Sequence, residues 1–195
     1  MKKIITKSYV ILLLVIITGC ETSKSINYDL NINRVSTETH RITNNTEILG
    51  SIDSSGVYKW LGIPYAEKPI NDLRWRAPRK IENYIKKYEA ISFKKPCVQF
   101  QSSLTNNGLV KPGAIVGSED CLYLNIYSPA LSKDQISRDN IKLPVMVWIH
   151  GGGNTTGMPS EYNPEIFVKS ENIIFVSIAY RLGIFGWLSH PELRE

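Results

Sequence analysis

His150-Gly151-Gly152-Gly153 is the segment of this 195-residue chain whose residue types and spacing point most directly to chemistry. Consecutive glycines carry no Cβ to shield the backbone, so their N–H groups can turn toward one point and a substrate can come close. Acyl transfer needs such donors, because negative charge gathers on the former carbonyl oxygen of the tetrahedral intermediate. Each donor can stabilise that charge by roughly 3 kcal/mol. A glycine-rich turn in isolation is more often an ordinary turn, so its context decides. No Gly-Lys-Ser or Gly-Lys-Thr follows, which excludes a Walker phosphate loop, and the dinucleotide fingerprint does not fit either. The three histidines, His40, His150 and His190, are far apart in sequence and belong to no HExxH or cysteine cluster, so the sequence gives a metal site little support.

The elements that must position this loop can be read from apolar patterning. Val145-Met146-Val147-Trp148-Ile149, directly before it, and Ile173-Ile174-Phe175-Val176 are continuous apolar runs. Both fit strands covered on two faces in a parallel or mixed sheet. Parallel strands need a crossover, and residues 164–169 are the expected helical piece. The result is an α/β domain. Upstream, residues 42–52 and 57–61 form an expected hairpin around Asp53-Ser54-Ser55-Gly56, and Gly62-Ile63-Pro64-Tyr65-Ala66 ends its extended run. Residues 67–105 read as mostly irregular, with a possible short helix over 81–88. Residues 121–127 alternate as a strand closed by Ser128-Pro129, and residues 130–142 make a polar, exposed loop. No internal repeat is visible.

Composition narrows the partners. A hydrophobic content of 43% suits an ordered domain. The formal charge of +5 suggests nucleic-acid binding only until it is divided, because Lys2, Lys3 and Lys7 supply three of those charges. The remainder holds 20 basic against 18 acidic side chains with no long basic stripe, which argues against a nucleic-acid partner. The basic start, the apolar run over 9–17 and Thr18-Gly19-Cys20 read as an export signal rather than a span. Ile17-Thr18-Gly19-Cys20 resembles the bacterial lipoprotein cleavage box. That resemblance implies a signal peptide over 1–19, acylation of the Cys20 thiol and a membrane anchored through lipid. Glu21 leans weakly toward the outer membrane and periplasm. Residues 20–37 then form a polar tether, and 38–195 the α/β domain. Export leaves Cys97 and Cys121 as an even pair 24 positions apart, a candidate disulfide worth on the order of 3 kcal/mol. Two buried free thiols are the reading if export fails.

The motifs together carry a resemblance. Gly62-Ile63-Pro64-Tyr65-Ala66, Leu73-Arg74-Trp75-Arg76-Ala77-Pro78, Ser118-Glu119-Asp120-Cys121-Leu122-Tyr123-Leu124-Asn125-Ile126, Val147 through Gly153, and Tyr180-Arg181-Leu182-Gly183-Ile184-Phe185-Gly186-Trp187-Leu188 occur in that order. In them the chain resembles the type-B carboxylesterase family, which includes the cholinesterases, over about residues 42–188. The resemblance implies the N-terminal portion of an α/β-hydrolase fold. Small antiparallel strands would lead into a central mixed sheet, with His150–Gly153 as the oxyanion loop.

It implies a serine ester hydrolase that transfers an acyl group to water through an acyl-enzyme. The substrate is a small-molecule ester and no cofactor is needed. Gly152 and Gly153 would supply oxyanion N–H groups, Gly151 would shape the turn, and His150 would support the loop, since the catalytic histidine of this fold comes after the nucleophile. Cys97 and Cys121 match the family's first disulfide, and Arg74 and Glu119 match a structural ion pair. Arg181 reads as a structural charge.

Two positions depart from the pattern. Asn154 replaces an apolar residue and makes that edge of the substrate pocket more polar, and Ala179 replaces an asparagine. No Gly-x-Ser-x-Gly occurs, so the chain alone is expected to be an inactive, truncated N-terminal part of the hydrolase. A non-catalytic binding or adhesion protein on the same fold, or a remnant without function, stands as the alternative.

Overall fold

The computed structural model describes residues 34–43, 46–52, 54–82, 85–102, 111, 113–132, 134–135 and 141–193. The signal segment 1–19, Cys20, positions 20–33 of the tether, Asp53, and positions 133 and 136–140 of the polar excursion lie outside the described residues. The first strands are β1 (Arg34–Val35), β2 (Arg41–Ile42), β3 (Glu47–Leu49), β4 (Ser51–Ile52) and β5 (Val57–Pro64). β4 and β5 pair antiparallel, Ser51 opposite Lys59 and Ile52 opposite Tyr58, which is the expected hairpin.

Its first arm is not one strand. Gly50 divides it because a Cβ there would lie 2.2 Å from the Lys59 carbonyl oxygen, and the chain passes from one sheet to another at that point. The Thr39 hydroxyl accepts the Gly50 N–H at 2.8 Å, and the Thr39 carbonyl accepts the Trp60 indole at 2.9 Å. β5 continues past Leu61 through a bulge between Trp60 and Ile63, where Gly62 takes φ +73°, and stops at Pro64.

Residues 81–88 do not form the helix that the sequence suggested. Ile81 and Glu82 have no regular structure, positions 83–84 are outside the described residues, and the segment enters strand β6 (Lys87–Glu89). β6 pairs parallel with β3. Tertiary contacts override the local pattern: Tyr88 packs against the cluster of Tyr58, Trp60 and Ala90, and its hydroxyl donates to the Gly62 carbonyl at 2.6 Å.

Further along lie β7 (Gln99–Phe100), β8 (Ile115–Val116), β9 (Tyr123–Pro129), β10 (Val145–Ile149) and β11 (Ile174–Ile178). The main sheet has the order β1-β4-β5-β9-β11-β10, beside a three-stranded sheet β2-β3-β6 and the pair β7-β8. Helix α1 (Glu165–Glu171) makes the expected crossover between β10 and β11, which pair in parallel from Val145 with Ile174 to Ile149 with Ile178. Asn172 ends it in a left-handed conformation, φ +52°. Its inner face buries Val168 among Val57, Leu61, Tyr127 and Phe175. Glu165, in the first turn, pairs with the buried Lys59 of β5 and locks the helix to the sheet.

Among the described residues β10 has a strand neighbour on one side only, β11, and Val147 and Ile149 are 56% and 63% exposed. β11 lies between β9 and β10 and buries Phe175 and Ser177.

Candidate active site at the end of strand β10

The sheet delivers the chain to His150 at the end of β10, and the following residues fold back at once. His150 is 3% exposed. The Tyr180 ring stacks on its imidazole with centroids 4.3 Å apart, and the Tyr180 hydroxyl donates to the His150 carbonyl at 2.6 Å. Burial raises the Tyr180 pKa above the ordinary phenol range, so the hydroxyl stays a donor. The imidazole also meets the Gly157 backbone, where an added Cβ would lie 2.4 Å from His150 Nδ1. Nδ1 is 2.9 Å from the Gly151 carbonyl oxygen.

The reversal of the chain is made by three consecutive positive φ angles, +104° at Gly152, +61° at Gly153 and +60° at Asn154. Gly151 has no such angle, and a Cβ there would meet nothing within 4 Å. The left-handed angles of the turn thus fall on the three residues after Gly151. At Gly152 no larger residue fits, since a Cβ would lie 1.9 Å from the Thr156 carbonyl oxygen. Asparagine is among the few non-glycine residues that adopt the left-handed region readily, which accounts physically for Asn154. The exposed Asn154 also accepts the Gly183 N–H at its carbonyl, 2.8 Å, tying the turn to the short helix α2 (Gly183–Trp187).

The Gly152 carbonyl oxygen receives three donors: Thr155 N at 3.1 Å, Thr156 N at 3.2 Å and Thr155 Oγ1 at 3.0 Å. A trans peptide holds its C=O and the following N–H in one plane, pointing in opposite directions. Fixing the Gly152 carbonyl therefore aims the Gly153 N–H away from Thr155 and Thr156. Among the described residues no hydrogen bond engages the N–H of Gly152 or Gly153. Gly153 is exposed and Gly152 partly so. Two backbone donors thus stand ready beside solvent at the carboxyl end of a parallel strand, an arrangement that can bind an oxyanion.

The cysteine region lies behind this turn. Cys97 and Cys121 form a disulfide with Cα atoms 5.0 Å apart, packed with Ala66, Leu122, Ala179 and Leu182. Arg74 holds Glu119 through two parallel bonds, Nε to Oε2 at 2.5 Å and Nη2 to Oε1 at 2.7 Å. The hydrogen bond to Glu119 raises the Arg74 pKa further above its ordinary value. Arg181 lines a small void with Arg74, Cys97, Glu119 and Cys121, and its Nη1 is buried without a hydrogen-bond partner among the described residues. At Ala179 the backbone N–H donates to Tyr123 O at 2.9 Å, and the carbonyl accepts the Tyr65 hydroxyl at 2.6 Å.

Sequence reasoning missed Gln99, Thr156 and Gly157, which link these two groups, and it gave the Tyr180 hydroxyl no role. The only available signals were the position of Gln99 two residues after Cys97 and a further glycine after Thr155-Thr156.

A mixed sheet whose parallel strand ends in an HGGG turn, with a crossover helix behind it, defines the α/β-hydrolase class. The family model described as the carboxylesterase family matches residues 35–194, and the chain belongs to that family. It is similar to a rabbit (Oryctolagus cuniculus) cocaine esterase, 39% identical over 157 residues, covering 76% of this chain and 29% of that protein. It is also similar to venom carboxylesterase-6 of Apis mellifera, 41% identical over 134 residues, 68% of this chain and 22% of that one. Among solved structures, a PNB esterase superimposes with TM-score 0.65 at 32% identity, over 82% of this chain and 31% of its own. A Geobacillus stearothermophilus carboxylesterase gives 0.61 at 34% identity, over 77% and 28%. The chain spans less than a third of the length of each of these relatives.

Proposed function

We propose that the whole protein is a serine carboxylic ester hydrolase that passes an acyl group to water through an acyl-enzyme. Within it, this chain supplies the oxyanion donors Gly152 and Gly153. The observation that carries the reading is the pair of unengaged N–H groups at the end of β10, that of Gly153 aimed by the three bonds to the Gly152 carbonyl. His150, enclosed by Tyr180 and Gly157, serves as a packing support, and Asn154 adds polarity at the rim of the substrate pocket. The nucleophile, acid and base come from outside these 195 residues, so residues 21–195 alone should hydrolyse nothing.

The test is hydrolysis of a short-chain p-nitrophenyl ester by the whole protein, with loss of that activity when the elbow serine is replaced by alanine. Turnover that survives the serine replacement, or none in the intact protein, would contradict the reading.

We propose further that the protein is exported and anchored through acyl chains on Cys20, which places the Cys97–Cys121 pair in an oxidising compartment where a disulfide persists. Metabolic labelling with a fatty acid should tag the protein, and Cys20→Ser should abolish the tag. Labelling that persists in that variant would overturn the anchor.

A further inference from the structure

We infer that Gln99 is a positioning residue for the oxyanion donor Gly153 N–H, acting on it through the segment Thr155-Thr156-Gly157. The inference rests on the hydrolase reading above. Gln99 is 5% exposed, on the two-residue strand β7, and its carboxamide is fully used. Oε1 accepts the Gly157 N–H at 2.7 Å and the Thr156 hydroxyl at 2.8 Å, while Nε2 donates to the carbonyls of Gly157 and Cys97, each at 2.9 Å. The orientation of the amide is unambiguous, because a backbone N–H only donates and a carbonyl only accepts. The Thr156 hydroxyl, having donated to Gln99, accepts from Ser102 at 2.5 Å.

One side chain therefore fixes the position of Thr156 and Gly157 against the disulfide. Thr155 and Thr156 in turn hold the Gly152 carbonyl, whose peptide plane aims the Gly153 N–H. Alanine at 99 leaves the Gly157 N–H and carbonyl buried without partners, and glutamate sets a carboxylate against two carbonyl oxygens.

The experiment uses the whole protein with Gln99→Ala and, in case that variant does not fold, the equally sized Gln99→Glu. Sites are counted by stoichiometric labelling with a fluorophosphonate, so that kcat is expressed per intact site. A positioning role predicts kcat per labelled site about 10- to 100-fold lower, with KM within about threefold of wild type. A trifluoromethyl ketone should lose affinity in parallel with kcat. In Gln99→Glu the deficit relative to wild type should shrink as pH falls, because protonation of the new carboxyl restores a donor. Wild-type kcat per labelled site in either variant would overturn the inference, since a merely structural role lowers only the number of sites. A wild-type protein with no ester turnover would overturn the hydrolase reading and this inference together.

Discussion

Gly151–Asn154 and Thr155–Gly157 are consecutive and similarly small and polar, yet the structure treats them in opposite ways. The first half is largely exposed, reverses on three left-handed residues, and leaves the N–H groups of Gly152 and Gly153 unengaged among the described residues. In the second half both threonines bond back to Gly152, while Gln99 grips the Thr156 hydroxyl and both backbone polar groups of Gly157. On the function proposed above, the difference separates two jobs: one half would present charge-stabilising donors, and the other uses its hydrogen bonds to hold the Gly153 donor still, which electrostatic preorganisation requires.

The sharpest way to break this division is Gly152→Ala. Its Cβ would strike the Thr156 carbonyl and its φ of +104° would be strained, so both halves move together. In the whole protein kcat should fall about 10²- to 10³-fold, as for the loss of an oxyanion donor; steady-state kinetics per labelled site checks it. Removing the disulfide with Cys97→Ser and Cys121→Ser attacks the held half from behind. It should lower unfolding free energy by about 3 kcal/mol in denaturant titration, with a smaller effect on KM. Gly157→Ala presses a methyl group on the His150 ring at φ +123° and should cost about 2 kcal/mol by the same titration. Tyr180→Phe removes one hydrogen bond from the His150 carbonyl while keeping the ring stack, and should cost about 1 kcal/mol. Smallest is Asn154: glycine there should be neutral within about 0.5 kcal/mol, while phenylalanine should cost about 1 kcal/mol for its left-handed backbone, read as a change in Tm.

Legibility in the sequence followed the range of the interactions concerned. Strands β9, β10 and β11 declared themselves through local hydrophobic patterning, the helix between β10 and β11 through the crossover that parallel strands require, and HGGG through backbone chemistry that depends on glycine itself. β6 was hidden because its pairing with β3 joins residues about forty positions apart. Gln99 was hidden for the same reason, since its partners Thr156 and Gly157 lie 57 and 58 positions downstream and nothing about an isolated glutamine marks it as buried. Asn154 was visible as a departure from the family pattern, but its left-handed backbone angle was not, because that angle is set by the fold of the turn.

The central claim is that Gly152 and Gly153 donate to the oxyanion. Its most direct test is a crystal structure of the whole protein bearing a covalent trifluoromethyl ketone adduct. The account predicts the adduct oxygen about 2.7–3.1 Å from both the Gly152 and Gly153 nitrogens, with the Gln99 bonds to Thr156 and Gly157 intact. An adduct oxygen held by other donors, out of hydrogen-bond reach of both glycines, would contradict it.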